Sequence, residues 1–361
     1  MTAATSLANQ GIYRILVSRP NHRLGNTLLL TPLIAELEKR FPGAEIDIVS
    51  EGDIAQDVFN GFFSVRRVLC LPRRGFKHPF AFLALFFRIR RTRYDLIIDP
   101  SVHSGFGRTL TRLLRARFKL GFSDAPTRAL THAAPQDIAG RHMGQRPVNL
   151  VRWACRARMD TDYPGLSVHL TDDELAEGAR VVTELTERPD HGSGPVIGVF
   201  GNATGSKRYP MAWWIDFMAT LQGAFLQGAF PLASIVEIVP AHAQSMLSGA
   251  WPGYYSSDIR RMAAVLAALD LFITADCGVM HLGAAAGTRT IGLFKRTALD
   301  VYTPYGNGNI GLHTGDASGS ATAHRVIESL STKPCHRTVS RPLPRPDRRV
   351  ARPALGAHLG G

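Results

Sequence analysis

A chain of 361 residues is long enough for two domains of ordinary size. Hydrophobic residues at 45% and charged residues at 20% exclude a disordered protein, and no apolar run approaches the roughly 20 residues of a membrane helix. The formal net charge of +13 asks for an anionic partner, and alone leaves open nucleic acid, an anionic membrane and a phosphorylated substrate.

The opening MTAATSLANQGIYR has neither a basic n-region nor an apolar h-region, so it does not read as a secretory signal. Cys70, Cys155, Cys277 and Cys335 show no C-x-x-C spacing, which indicates neither a disulfide framework nor a zinc site. The expected location is the cytoplasm, with reduced thiols.

Ile12 to Ser18 reads as a first strand, followed by the loop Arg19-Pro20-Asn21-His22-Arg23-Leu24-Gly25-Asn26. A helix is expected from there to about Arg40, with Pro32 removing one backbone bond, and Glu45 to Val49 forms the second strand. A glycine-bearing loop between a first strand and a helix either presents chemistry, as open α/β sheets do, or only makes the turn. Arg73 to Arg93 mixes aromatic residues with arginine clusters. It is either a basic amphipathic element for an anionic membrane or a core helix with solvated ends.

Tyr94 to Asp99 is a buried parallel strand, followed by Pro100, Ser101, Val102 and His103. Gly105 and Gly107 lack a third glycine at dinucleotide spacing, which rejects a Rossmann fingerprint. Thr186 to Pro195 is the best linker in the chain, rich in Pro, Gly, Ser and charge.

Val196 to Phe200 opens the second half, and Gly201 to Lys207 follows as a small-residue loop without a Walker A ending. Its N–H groups suit a phosphate; Lys207 either reaches a diphosphate as a point charge or is a solvated loop lysine. Ser234 to Pro240 is another strand, and Ser257 or Asp258 caps a helix over Ile259 to Leu269. Then come a strand over Leu271 to Ala275, a turn at Asp276, Cys277 and Gly278, an Ala-rich helix ending near Gly287, and a strand over Thr290 to Phe294. This is a βαβ unit, with its ligand expected where the strand ends and the helix begins. Asp276 either accepts from sugar hydroxyls or caps the helix; His281, in its first turn, is either a site group or a packed histidine. From Lys333 on, seven Lys or Arg stand against one Asp in a Pro-rich tail expected to be disordered.

The run Asp276, Gly278, Met280, His281, Leu282, Ala284 to Ala286, Gly287, Thr288 and Thr290 resembles the C-terminal signature of glycosyltransferase family 9, the heptosyltransferases. Cys277 stands for the usual Ser or Thr, and Arg289 for the usual Pro. The family's opening pattern is similar to Ile15, Leu16, Val17, Arg19, Gly25, Leu29, Thr31, Pro32, Leu37, Phe41, Pro42, Ala44, Ile46 and Asp47. Its G-x-x-x-x-x-K-x-W-P matches Gly201, Lys207 and Pro210, with Tyr209 for Trp. Where the ribose-holding acid often stands, this chain has His242. The resemblance covers roughly residues 12 to 330.

It implies an α/β fold of GT-B type: two Rossmann-like doubly wound domains facing a cleft. Residues 1–185 would bind the acceptor and 196–330 the nucleotide-sugar, joined by a linker at 186–195 and followed by the tail at 331–361. The implied activity is inverting, metal-independent transfer of a sugar, heptose from an ADP-sugar, onto a lipopolysaccharide-core or related lipid-linked glycan. No cofactor and no nucleic acid are implied; an anionic membrane on the inner face of the inner membrane is a candidate peripheral contact. Gly201, Thr204, Lys207, Asp276, Cys277, Gly278 and His281 would hold the donor, and Arg19, Gly25, Asn26 and Asp99 the acceptor side. Asn26 occupies the position of the family's catalytic Asp and cannot take a proton at neutral pH. His22, in the same loop, has the side chain whose unperturbed pKa of about 6.5 suits the task; Asp99 and His103 are the further candidates. The competing reading is a catalytically silent relative that binds a nucleotide-sugar or glycan.

Overall fold

The structure is a computed structural model that describes residues 6–8, 10–72, 79–103, 105–125, 127–187, 194–224, 233–240 and 244–331. The core of the expected linker, His242, the basic residues at 73, 74 and 77, and the tail lie outside the described residues.

The first half alternates strands and helices: β1 (Arg14–Ser18), α1 (Leu24–Leu28), α2 (Thr31–Arg40), β2 (Glu45–Glu51), α3 (Ile54–Phe59), β3 (Val65–Leu71), α4 (Pro79–Arg91), β4 (Tyr94–Asp99), α5 (Gly105–Leu113), β5 (Ala116–Phe122), β6 (His132–Ala134) and α6 (Arg146–Ala154). All ladders are parallel, in the order β3-β2-β1-β4-β5-β6. Leu33, Ile34, Val58 and Leu150 pack on one side of this sheet, while Ile89, Leu110 and Leu114 pack on the other.

Next comes α7 (Asp172–Thr186), which packs on a helix of the second sheet. Then follow β7 (Val196–Phe200), α8 (Met211–Ala224), β8 (Ser234–Val239), β9 (Gly253–Tyr255), α9 (Ile259–Ala267), β10 (Leu271–Ala275), α10 (Gly278–Ala285), β11 (Thr290–Phe294), α11 (Leu299–Tyr302), β12 (Ile310–His313) and α12 (Gly319–Ser331). The second sheet is also parallel, in the order β12-β11-β10-β7-β8-β9. Every residue of β7, β10 and β11 is buried, as strands covered by helices on both faces must be.

The helix expected after β1 is broken in two. The chain interrupts at Leu29 and Leu30, so Pro32 falls in the first turn of α2, where its missing N–H has no bond to lose. Asp258, not Ser257, caps α9, accepting from the N–H groups of Arg260 and Arg261.

Buried contacts tie the halves together. The Arg260 guanidinium donates to both oxygens of Glu174 and to the carbonyls of Asp57, Val168 and His169. Glu174 also closes a capping box with Thr171, so one carboxylate serves the start of α7 and the approach of α9. On the other side of the cleft, His142 Nε2 lies 2.9 Å from the Thr303 carbonyl, and the Met143 N–H donates to Val301 at 3.0 Å.

Candidate functional site

In each doubly wound sheet the strand order reverses once, between β1 and β4 in the first and between β7 and β10 in the second. Ligands bind outside the carboxyl ends of strands at such points. Here both crevices open toward the same space, where α1 abuts α10. That approach is tight at two glycines. A Cβ on Gly25 would stand 3.1 Å from His281 Cδ2 and 3.3 Å from Gly278 Cα, and one on Gly278 would stand 3.1 Å from the Gly25 nitrogen.

The larger cavity, of about 760 Å³, is lined on one side by Arg23, Gly25 and Asn26 and on the other by Asn202, Thr204, Lys207, Asp276, Cys277, Gly278, His281 and Tyr302. At its floor the Lys207 ammonium lies 2.8 Å from Asp276 Oδ2. The approach is a charge contact outside hydrogen-bond alignment, which leaves this nearly buried oxygen able to accept from a ligand hydroxyl. Lys207 also stands 5.8 Å above the Tyr302 ring. The cap position of α10 is held by Cys277, so Asp276 is not the cap.

His281 is buried, and its Nδ1 has no hydrogen-bond partner. Burial pushes its pKa down to about 4, against the pull of Asp276, so it is neutral at pH 7. A histidine depressed this way adds stability that is complete above its unfolded value and lost as pH falls through the folded one. Between about pH 6.5 and pH 4 the protein should therefore lose on the order of 2–3 kcal/mol through this group. Denaturant titrations across that range should show a shallower loss for His281→Gln; equal slopes would remove His281 as the source.

The smaller cavity, about 250 Å³, opens at the first reversal and is lined by Arg19, Asn26, Ser101, Val102, His103, Met143 and Arg146. Arg19 bonds to Ser101, and burial lowers its pKa against the attraction of Asp99. Asp99 itself is fully buried beneath the cavity. Its carboxyl is pushed up by that burial, although Arg108 donates to it at 3.2 Å. Asn26 lines both cavities.

The residues expected from sequence thus divide. Gly25, Asn26, Thr204, Lys207, Asp276, Cys277, Gly278 and His281 come together in the larger cavity, and Arg19 joins Asn26 in the smaller. Gly201 lines neither cavity; a Cβ there would meet Met246 at 2.6 Å and Trp214 at 3.1 Å, which makes it a packing glycine. His22 also lines neither, and its Nδ1 stands 3.3 Å from Glu51. Sequence reading gave no role to Arg23 and Asn202 within the loops it singled out, and it missed Tyr302, which ends α11 outside every pattern matched.

The profile of glycosyltransferase family 9 (heptosyltransferase) matches residues 82–327. The chain belongs to glycosyltransferase family 9. No curated protein sequence matches it significantly. Among solved structures, this family 9 chain is similar to a glycosyl transferase family 9 protein from Veillonella parvula, at 18% identity and TM-score 0.71, over 91% of this chain and 98% of that one. It is similar to E. coli heptosyltransferase WaaC with ADP, at 18% identity and TM-score 0.66, over 88% and 99%. E. coli ADP-heptose lps heptosyltransferase II follows at 18% identity and TM-score 0.62, over 88% and 98%. At these identities the likeness concerns the fold, and the family 9 transferase has the GT-B architecture expected: two Rossmann-like sheets across a cleft.

Proposed function

We propose that this family 9 transferase moves heptose from an ADP-sugar onto a lipopolysaccharide-core or related lipid-linked glycan, with inversion and without a metal ion. The observation that carries the reading is the Lys207–Asp276 pair at 2.8 Å, set where the β7 loop and the start of α10 face Asn26 across the cleft. The structural neighbour WaaC with ADP supports an adenine nucleotide. Residues 196–330 would hold the donor and residues 1–185 the acceptor, joined by a linker at 186–195.

In this reading an acceptor hydroxyl attacks the anomeric carbon from the Asn26 side as the sugar–diphosphate bond breaks. The bonding electrons leave with the diphosphate, whose charge meets the Lys207 ammonium and the amino end of α10. Asp276 accepts from sugar hydroxyls. Arg19 and Arg146 give the smaller cavity the charge to hold an anionic group of the acceptor. The hydroxyl proton has no carboxylate at position 26 to receive it. His103, which lines the acceptor side with Asn26, is the imidazole placed to take that proton.

Asn26 also favours a second reading, a silent relative that binds the same donor without turnover. A thermal-shift screen of ADP-, GDP-, UDP- and dTDP-sugars tests what both readings share. The ADP-sugar should stabilise most, by about 2.7 kcal/mol at a hundredfold excess over Kd. A larger shift with another nucleotide would overturn the donor assignment, and no shift with any would overturn both readings. Transfer to a glycan acceptor separates them. The location consistent with the proposed acceptor is the cytoplasmic face of the inner membrane. Among the described residues no helix is long and apolar enough to cross a membrane.

A further inference from the structure

Helix α4 is apolar on both sides. Phe82, Leu85, Phe86 and Ile89 face inward, packed in a cluster with Leu16, Val49, Tyr94 and Leu110. Phe80, Leu83 and Phe87, spaced three and four residues apart, form the opposite stripe and are 86%, 47% and 54% exposed. A helix hydrophobic all round belongs in an interior, yet this one has its outer stripe in solvent. Beside it Phe106 of α5, 41% exposed, meets Phe82 edge to face at 5.8 Å. Leu113 extends the same apolar exposure along α5.

The charge on this side has one sign. Residues 79–93 contain four Lys or Arg and residues 105–115 contain three, with no Asp or Glu in either stretch. Arg88, Arg90 and Arg91 at the end of α4, and Arg112 and Arg115 at the end of α5, are exposed. Both helices follow parallel strands, so their first turns, carrying Phe80 and Phe106, lie at the carboxyl edge of the sheet. That is the edge on which the smaller cavity opens, and His103 of its lining lies just ahead of α5.

We propose that the outer face of α4 and α5 docks on an anionic lipid bilayer, with Phe80, Leu83, Phe87 and Phe106 entering the headgroup boundary and the arginines meeting anionic lipid. With 13 residues α4 is too short to span and lies in the plane of the surface. A bilayer suits a face that offers bulk apolar area and unbroken positive charge. It supplies both complements everywhere and requires no matching shape. The docking would set the smaller cavity beside the membrane, where a lipid-anchored acceptor is found. That last step rests on the function proposed above, whereas the membrane contact does not.

Sedimentation of the full chain with vesicles of phosphatidylcholine, with and without phosphatidylglycerol, tests the inference. The wild type should bind the mixed vesicles and leave the neutral ones. Phe80→Ser/Phe87→Ser and, separately, Arg88→Glu/Arg91→Glu should each weaken binding at least about tenfold. Both pairs are exposed, so melting temperature and the shift with ADP-sugar should stay at wild-type values. Wild-type vesicle binding by both variants, or no binding by the wild type, overturns the docking face; the first outcome would hand the exposed stripe to a protein partner. Loss of the ADP-sugar shift with vesicle binding intact would strike the functional reading alone.

Discussion

Replacing Asn26 by Asp is expected to raise kcat for sugar transfer by about 10²–10⁴-fold, the usual worth of a positioned general base. Asn26 is the third residue of α1 and borders both cavities, so it stands between the proposed donor and acceptor pockets. A carboxylate there would be ionised at neutral pH, because the first turn of a helix and the nearby Arg19, Arg23 and Arg146 all favour negative charge. The amide is nearly the same shape and accepts no proton, so the exchange should leave the packing of Gly25 on Gly278 intact. Steady-state kinetics with ADP-heptose and a heptose-free core acceptor would show the gain. An Asp variant no faster than an active wild type would mean that proton removal is not limiting and that position 26 is not the base position. Activity in the Asp variant together with an inert wild type would establish the silent-relative reading.

The second large effect is expected at Lys207. Lys207→Ala should lower kcat by about 10²–10³-fold, the range found when one preorganised donor to a developing charge is removed. Donor Kd should also rise, since losing a charge-assisted hydrogen bond costs roughly 1.5–3 kcal/mol. The free protein should become less stable as well, because Asp276 is buried and would lose the ammonium 2.8 Å away. Affinity is therefore best measured by direct calorimetric titration and not by melting shifts. Unchanged kcat and Kd would take the lysine out of the site and leave its pairing with Asp276 a matter of folding.

Much of this architecture was legible in the residues. Strands β7, β10 and β11 stand at the bounds expected because a parallel strand buried on both faces must be an unbroken apolar run, and such runs end where the burial ends. The turn from Asp276 to Gly278 and the helix after it were equally visible, since a short polar turn between two such elements has one topological meaning in a parallel sheet. The joint pattern from Asp276 to Thr290 carried the family as well. Other points depended on contacts between distant parts of the chain. Whether Asp276 caps α10 or pairs with a lysine is a competition between a local bond and a charge from another loop, and only the packed structure brings Lys207 to it. His22 and His103 are both loop histidines in the sequence; the order of β1 and β4 in the sheet puts His103 on the cavity lining, while His22 stands beside Glu51. The sequence left residues 73–93 open between a membrane-facing element and a core helix, and the exposed stripe from Phe80 to Phe87 follows from the packing of Phe82 and Ile89 beneath it. Local composition determines what an element is. Its neighbours, which come from elsewhere in the chain, decide what each side chain of that element does.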